Sequence, residues 1–510
     1  MQQYVVGLIR DMPAQLGMTR GHFFCGVSQV AVGADTLFTG ACLQLAIPQR
    51  VFLPQLRDDY LRAEGSDGTS DFTDDERERA RQLLGLSHVI EERVVTTVSD
   101  RHARFEAVNL AILQQSDVLL CVLRESADEQ RGGTSDLMQR AAQWGRALLE
   151  VRVGVAADGS VGFTERWHRK DGFQAPQFPA LGGATKPVSG PPALSTYVTT
   201  LKDATSVVAK GRQRTFRYAA AVIVGTHAIA TLLATFAMRL ADEHMSFNLV
   251  GPILIAEVVL LLAGFIVHQR LHASRATQTW ALARLVAEVC RSVSALRNVG
   301  GALTHVFSLP LPSVLRPVLH TLDVLHLQST RSLNPNDWKE RRDAYVAGRL
   351  SSADTGQLEY YRRTLGRARR ALTLAHRAFT SCSALAIVCT TFKVVLLLHV
   401  LPSLESLSAR TGVLAGAVES LGSTLYWLLA PLAIFLPVAA VAALSLAASF
   451  DLEGRVHIYE EMLLQLKKYE RQLNEASSEA EFSALAKSAE GAMLGETATW
   501  YSRRAFTGVA

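Results

Sequence analysis

Cysteine and charge are both scarce in this 510-residue chain. Its six cysteines include no C-x-x-C pair, which argues against a disulfide framework and a zinc-finger array and favours a reducing compartment. Charged residues make up 19%, below the roughly 25% of an average soluble protein. Hydrophobic residues make up 49%, which excludes a disordered chain. The length suffices for about three domains.

The signatures of several enzyme classes are also missing. The sequence has no G-x-x-x-x-G-K-[ST] phosphate loop, no H-E-x-x-H zinc helix and no G-x-S-x-G nucleophile elbow. The histidines before residue 171 have no serine or cysteine at a spacing that would pair them as base and nucleophile. Spacing alone therefore predicts no catalytic residues, no metal site and no cofactor.

Apolar residues are concentrated in four long runs after residue 200. A helix needs about 20 apolar residues to cross the hydrocarbon core of a bilayer, so each run predicts a transmembrane helix. The predicted spans are Tyr218–Met238, Met245–Val267, Ala378–Leu404 and Ser420–Phe450.

Glu257 and Lys393 are charges inside the second and third predicted spans. A charge in a bilayer is costly and is usually paired, water-lining or functional. We hypothesise that these two side chains meet between hairpins or line a polar path. The alternative is that Lys393 extends to the far interface by snorkelling.

The two halves of the chain carry opposite net charge. Residues 1–190 contain 20 basic and 24 acidic residues, a net of −4, whereas residues 191–510 carry a net of +9. The basic excess lies before the first and third spans and after the second, which predicts cytoplasmic N- and C-termini. This placement favours a lipid bilayer as partner and argues against nucleic acid. The first residues do not have the pattern of a secretory signal.

The N-terminal part alternates short apolar runs with stretches of helical periodicity. This pattern predicts an α/β domain, in which ligands bind beyond the carboxyl ends of the strands. The predicted strands are His22–Gly26, Gln49–Leu53, Val94–Val98, Val118–Leu123 and Ala147–Val153. The predicted helices are Ala34–Leu45, Glu76–Leu84, His102–Gln115 and Ser135–Trp144.

Two loops after these strands combine glycine with the start of a helix. Gly33–Asp35 follows the first strand, and Gly132–Asp136 follows the strand Val118–Leu123. Free N–H groups at a helix start, with glycines that permit close approach, form an anion site. The alternative is that the glycines only shape turns and that Asp35 or Thr134 only caps a helix.

Taken in order, four segments resemble the SLOG superfamily, the Rossmann-like fold of the LOG enzymes, DprA and the sensor region of TRPM channels. They are GADTLFTGACLQLAIP, VFLPQLRDDY, FEAVNLAILQQSDVLLCVL and RGGTSDLMQRAAQWGRALL, within residues 21–155. The resemblance implies a nucleotide-derived ligand, of the ADP-ribose or cyclic-nucleotide type. The ligand-binding residues that it marks are Gly33, Asp35, Gly132, Gly133, Thr134 and Asp136, with Asn109 and Arg57 as contacts to base or ribose.

The chain departs from the family pattern in two places. Family members begin with a strand that ends in a Gly-His-Arg-like loop, whereas only about 20 residues precede the first strand here and MQQYVVGLIRDMPAQLG predicts the following helix. Either the start codon is misplaced or the domain has lost part of its site. LOG enzymes also have a PGGxGTxxE motif with a catalytic Glu, whereas RGGTSD ends in Asp136. Hydrolysis is therefore not implied.

A Gly/Pro-rich linker precedes an apparent tandem repeat. Each copy is a two-span hairpin followed by an amphipathic helix, at Thr279–Glu288 and Arg455–Leu464, and the second copy also has a leading helix at Trp338–Arg363. This layout resembles the SLATT family of bacterial two-span membrane effectors. The C-terminal cluster that shares the resemblance is Glu490, Glu496 and Trp500. The alternative is that the amphipathic helices only pack on each other or on the membrane surface.

These features predict a receptor in the bacterial inner (plasma) membrane. A nucleotide-derived signal would activate pore-forming or membrane-disrupting helices of a homo-oligomer, in conflict or antiphage defence. The alternatives are a membrane-tethered nucleotide or N-glycosidic hydrolase, and a scaffold with a degenerate SLOG-like domain. The predicted domains are a sensor at 1–171, a linker at 172–200, a first hairpin at 201–310, a Pro-containing connector at 311–337 and a second hairpin at 338–510.

Overall fold

The computed structural model describes residues 1–18, 23–62, 72–124, 133–155, 158, 160–168, 193–242, 247–395 and 415–506. The protein is mostly helical and has small sheets near the N-terminus. It divides into two compact units. The first contains Met1–Ala204 and Val289–Trp338, and the second contains Thr205–Glu288 and Lys339–Ala510.

The described residues of the first unit form two three-stranded sheets. Strands β1 (Gly26–Ser28), β2 (Gln49–Leu53) and β3 (Val89–Val94) are parallel, in the order β1-β2-β3. In the second sheet, β4 (Val118–Arg124) and β5 (Ala147–Val155) are parallel, and β6 (Val161–His168) is antiparallel to β5. The accompanying helices are α1 (Gln2–Gln15), α2 (Ala34–Gln44), α3 (Arg57–Tyr60), α4 (Asp74–Leu84), α5 (Arg101–Gln115) and α6 (Thr134–Gln143). The N-terminal region is therefore α/β, as its alternating pattern predicts.

Two strand predictions need correction, and one strand is missed. The strand predicted at Val94–Val98 lies too late in the chain: β3 pairs with β2 through Val89–Val94, where Glu91 forms an ion pair with Arg50 and the Arg93 guanidinium lies over the Phe52 ring. The first strand begins at Gly26 rather than before it, and His22 lies outside the described residues. The edge strand β6 is missed by sequence reasoning because most of its residues are exposed and Glu165 interrupts the alternation of Val161, Phe163 and Trp167.

The core of the first unit lies around β2 and on the faces of the neighbouring strands β4 and β5. Val51, Phe52 and Leu53 of β2 are completely buried. Helix α1, predicted from the same apolar spacing, buries one face against the second sheet through Leu8 and Met12. The N-terminal helix is therefore an integral layer of this unit.

The segment after residue 289 packs with the first unit. It contains the end of α9 (Ala276–Ala295), then α10 (Thr304–Phe307) and α11 (Arg316–Thr330). In addition, the Arg316 guanidinium on α11 donates a 2.6 Å hydrogen bond to the carbonyl oxygen of Gln114. The first compact unit therefore includes Val289–Trp338, a segment that contains residue 310, while its other limits fall at Ala204 and Trp338.

The second unit consists of long helices. Among the described residues, four helical segments are long and apolar enough to cross a membrane, as predicted. They are Leu194–Met238, Val250–Ala273, Gln357–Val395 and Leu429–Glu475. The helices concerned are α7 (Leu194–Asp242), α8 (Phe247–Ala273), α13 (Gln357–Val395), α14 (Ala415–Ser449) and α15 (Leu452–Glu475). Parts of the predicted spans, at residues 245–246 and 396–404, lie outside the described residues.

The helix predicted at Trp338–Arg363 is interrupted. Helix α12 (Trp338–Tyr345) continues as a π-helical turn at Val346–Leu350, and α13 begins only at Gln357. Gly356 leaves no space for a Cβ atom, because the backbone oxygens of Ser352 and Leu350 lie against that position. The close backbone approach at this turn ends one helix and starts the next.

Candidate functional site

A cavity of about 520 Å³ lies in the first unit. Residues of β1, β4, α1 and α11 line it, together with the N-terminal turns of α2 and α6. Apolar side chains of α1, among them Val5, Ile9 and Met12, form one side. Polar side chains, among them Asp35, Asn109 and Thr134, also line the cavity.

Four of the predicted ligand-binding residues line this cavity. They are Asp35, Asn109, Gly133 and Thr134. The two glycine loops, separated by about 100 residues in the sequence, are thus brought to one site. Gly132 lies outside the described residues.

Gly33 and Gly133 occupy the N-cap positions of α2 and α6. Gly33 has a φ of 100°, a conformation that L side chains rarely adopt, so glycine is required there. Neither N-cap residue provides a side-chain hydrogen bond to its helix. Two helix N-termini without a side-chain cap therefore begin beside the cavity, where backbone N–H groups and the helix dipole favour an anionic or strongly accepting ligand group.

Arg57 and Asp136 do not line the cavity. Arg57 lines a separate groove with three other arginines, and its guanidinium donates a 3.3 Å hydrogen bond to the carbonyl oxygen of Arg81. Asp136 forms an ion pair with Arg140 at 3.2 Å, one turn along α6. Arg140 also contacts Glu106. These two predicted contacts are therefore held by neighbouring protein groups away from the site.

The carboxyl group of Asp35 is the most perturbed acid of the cavity. Its side chain keeps some accessible surface, but it lies where packed protein atoms replace bulk water. This desolvation raises the pKa of Asp35 to about 7, against a smaller opposing effect of the Ala31 backbone N–H, which donates to the carboxylate. Near neutral pH, Asp35 therefore exists in both forms and can donate or accept a hydrogen bond.

Three thiols also line the cavity, at Cys25, Cys42 and Cys121. Burial raises the pKa of each to about 12, so all three are neutral near pH 7. Neutral buried thiols behave as small apolar groups and not as nucleophiles. Sequence reasoning did not connect them because no two share a short spacing.

Helix α11 forms the wall that sequence reasoning missed. Pro317, His320, Thr321 and Val324 line the cavity from this helix. Burial, assisted by the charges of Arg50 and Arg146, lowers the pKa of His320 to about 4, so its imidazole is neutral. No motif marks this segment, which follows β1 by almost 300 residues.

A buried ionic bridge fastens α11 to the first sheet. Arg50 Nη1 on β2 is 2.9 Å from Asp323 Oδ2, and Arg50 Nε is 2.5 Å from Glu91 Oε2 on β3. The side chains of Arg50 and Asp323 are only 3% and 1% exposed. The second oxygen of Asp323 accepts a 2.7 Å hydrogen bond from the Leu303 N–H. Such burial is tolerated because each charge has several partners.

The predicted C-terminal cluster lies on α16 (Glu479–Phe506) in the second unit. Glu490 is fully buried and forms a bidentate contact with Arg349, at 2.7 and 2.8 Å. The ring of Trp500 lies 4.9 Å from that of Trp280. Burial raises the pKa of Glu496, although the nearby Arg284 guanidinium opposes this rise. The amphipathic helix of the first copy therefore packs with the C-terminal helix.

Glu257 and Lys393 lie on α8 and α13 and are both half-buried. Their predicted pairing stays a prediction.

Comparison with known proteins gives no family. A scan against protein-family models, a search of curated proteins and a search of solved structures each found no match. The resemblance to the SLOG and SLATT families therefore rests on the motifs alone.

Proposed function

We propose that this protein is a membrane-anchored receptor whose first unit binds a nucleotide-derived ligand and whose long apolar helices carry the response. The observation that supports this proposal most strongly is the convergence of both glycine loops on one cavity, through Asp35 and Thr134. If the two loops only formed turns, nothing would require them to border the same cavity.

The size and lining of the cavity suit this ligand class. Small-molecule sites have volumes of roughly 300–1,000 Å³, and this cavity measures about 520 Å³. Its apolar lining residues can cover the face of a base, while Asn109 and Asp35 offer hydrogen bonds to the base edge. The helix N-termini at Gly33 and Gly133 suit a phosphate group.

A receptor also needs the ligand to bind two states with different affinity. In this proposal, the empty and occupied cavities favour different arrangements of the membrane helices, which then permeabilise the bilayer. The hydrolase alternative depends on Asp136, whose carboxylate is already paired with Arg140. The geometry therefore favours the receptor.

Calorimetry of the full chain in detergent, against a panel of ADP-ribose, cyclic nucleotides and adenosine, tests ligand binding. We expect at least one panel member to bind, and Thr134→Val to raise its Kd about tenfold, the effect of one lost hydrogen bond. Asp136→Asn, on the same helix but outside the cavity lining, is the matched control and should leave the Kd within about twofold.

Two outcomes would contradict the proposal. Absence of binding by the wild-type chain across the whole panel would remove the ligand claim. Turnover of a panel member that Asp136→Asn abolishes would favour the hydrolase.

A further inference from the structure

We propose that α11 is both a ligand-contacting wall and the element that transmits occupancy of the cavity to the first membrane hairpin, through a hydrogen bond between Thr321 and Tyr197. This inference rests on the proposed function, since it concerns the same cavity. It assigns a role to a segment that the glycine loops and the family resemblance do not include.

The first step of the argument is the position of Thr321. This residue lines the cavity together with His320, so both are within reach of a ligand. Because the His320 imidazole is buried and uncharged, it can hydrogen-bond a neutral ligand group without bringing a charge into the cavity. This wall is therefore suited to polar, uncharged groups of a ligand.

The second step is the partner of Thr321. Its hydroxyl donates a 2.8 Å hydrogen bond to the Pro317 carbonyl oxygen. The same hydroxyl is hydrogen-bonded to the phenol of Tyr197. A ligand that shifts Thr321 therefore changes the hydrogen bond that this hydroxyl shares with Tyr197.

The third step is the helix that carries Tyr197. Tyr197 lies in the first turn of α7, which continues without a break from Leu194 to Asp242 and contains the first candidate span. Leu194 and Val198, on either side of Tyr197, are buried. The turn that carries Tyr197 and the first candidate span therefore belong to one continuous helix.

The other arm of the same hairpin also ends in the first unit. The last turns of α9, which follows the span helix α8, bury Cys290 and Val293 completely. Ser292 Oγ lies 3.2 Å from His305 Nε2. The chain therefore leaves and re-enters the first unit through α7 and α9, and the first hairpin lies between them.

The rigidity of α11 completes the argument. The Arg50–Asp323 bridge and the Leu303 N–H hold α11 at a position two residues beyond Thr321. Because this anchor resists sliding along the sheet, a ligand that presses on the wall tilts the helix at Thr321. Tyr197 is the polar contact that registers this tilt.

The experiment uses the full chain in anionic lipid vesicles, with ADP-ribose as probe and dye release as readout. We expect Tyr197→Phe to leave the Kd for ADP-ribose within threefold of wild type and to reduce ADP-ribose-stimulated release at least fivefold. Thr321→Val should raise the Kd and also reduce release, and the double variant should release no less than Tyr197→Phe alone. Tyr218→Phe, which removes an exposed hydroxyl from the same helix, is the control and should change neither quantity.

Unchanged release in Tyr197→Phe, or a Kd that rises as much as release falls, would overturn the inference.

A ligand-independent arm keeps the test separate from the proposed function. Ile9→Trp places an indole in the cavity from the α1 side, and we expect it to change amide hydrogen exchange at residues 194–204 at least threefold. Tyr197→Phe in that background should abolish the change, while amides of β2 report that the fold is intact. Unaltered exchange in Ile9→Trp would also overturn the inference, whatever ADP-ribose does.

Discussion

The two units place their polar and apolar groups in opposite ways. The first unit buries charged groups such as Arg50 and Asp323 beside a cavity and covers its apolar strand β2 completely. In the second unit, Ile255, Val258 and Ile387 lie on long helices with more than 60% of their surface exposed. Exposed apolar area costs roughly 25 cal/mol per Å² in water, so the surface of these helices is suited to lipid.

This difference shows which interactions specify each unit. Hydrogen bonds and ion pairs between residues distant in sequence determine the position of α11 in the first unit. The second unit relies on helix length and hydropathy for its membrane helices and confines its buried ion pair, Arg349–Glu490, to a helix pair outside the apolar segments. Three substitutions test this comparison.

Removal of the buried cation in the first unit should have the largest effect. Arg50→Met leaves the carboxylates of Glu91 and Asp323 buried without their partner, so we expect the free energy of unfolding of this unit to fall by about 3–5 kcal/mol. Hydrogen exchange of the β2 amides under increasing denaturant measures this free energy of unfolding. Arg62→Met is the control. It breaks an ion pair with Asp59 in which the Arg62 side chain is 66% exposed, so it should lower the free energy of unfolding by less than about 1 kcal/mol. Equal losses in the two variants would contradict the role of the bridge.

A charge on an apolar helix of the second unit should have the next effect. Val258→Arg places a guanidinium near the middle of α8, where insertion of a charge costs about 2.5–3.5 kcal/mol. We expect the fraction of protein that resists alkaline extraction from membranes to fall. Val258→Leu conserves the apolar surface and should match wild type. If both variants resist extraction equally, this face of α8 does not contact lipid.

The pH dependence of the first unit should show the smallest effect. Folding raises the pKa of Asp35 to about 7 from 3.8, so the folded state holds a proton that the unfolded state releases between these values. The free energy of unfolding therefore decreases as pH rises from about 4 to about 7, and because Asp35 keeps some accessible surface, solvent screening limits this loss to about 1–2 kcal/mol over the whole window. Asp35→Asn should remove this contribution, and denaturant titrations of both proteins at several pH values measure the difference. A constant difference between them across the window would contradict the assignment.

Local patterns predict some elements well and others poorly. Hydropathy predicts the four membrane segments because bilayer thickness sets a length that any 20-residue window reveals. Apolar spacing predicts α5 and α6 for a similar reason, since 3.6-residue periodicity is a local property. The strand β6 escapes prediction because its partner β5 determines the pairing, not its own periodicity.

The candidate site divides in the same way. Glycine beside a helix start is visible in the sequence, and Gly133 and Asp35 do border or line the cavity. Arg57 and Asp136 are also predicted ligand contacts in the sequence. In the folded chain, however, Arg57 donates a hydrogen bond to the Arg81 carbonyl oxygen, and Asp136 forms an ion pair with Arg140. Whether a polar residue faces a cavity or a neighbour depends on which side of its helix is covered, which no spacing rule encodes.

The amino-acid sequence alone determined the α/β character of the N-terminal region, the four membrane segments and the two glycine-led helix starts, because each depends on residues within about 20 positions of one another. Only the tertiary structure decided that α11 closes the cavity, since the contact of Arg50 with Asp323 joins residues more than 270 positions apart. It also decided that the thiols of Cys25 and Cys121 share one space. The physical reason is that burial and ion pairing over such separations depend on the whole chain having packed.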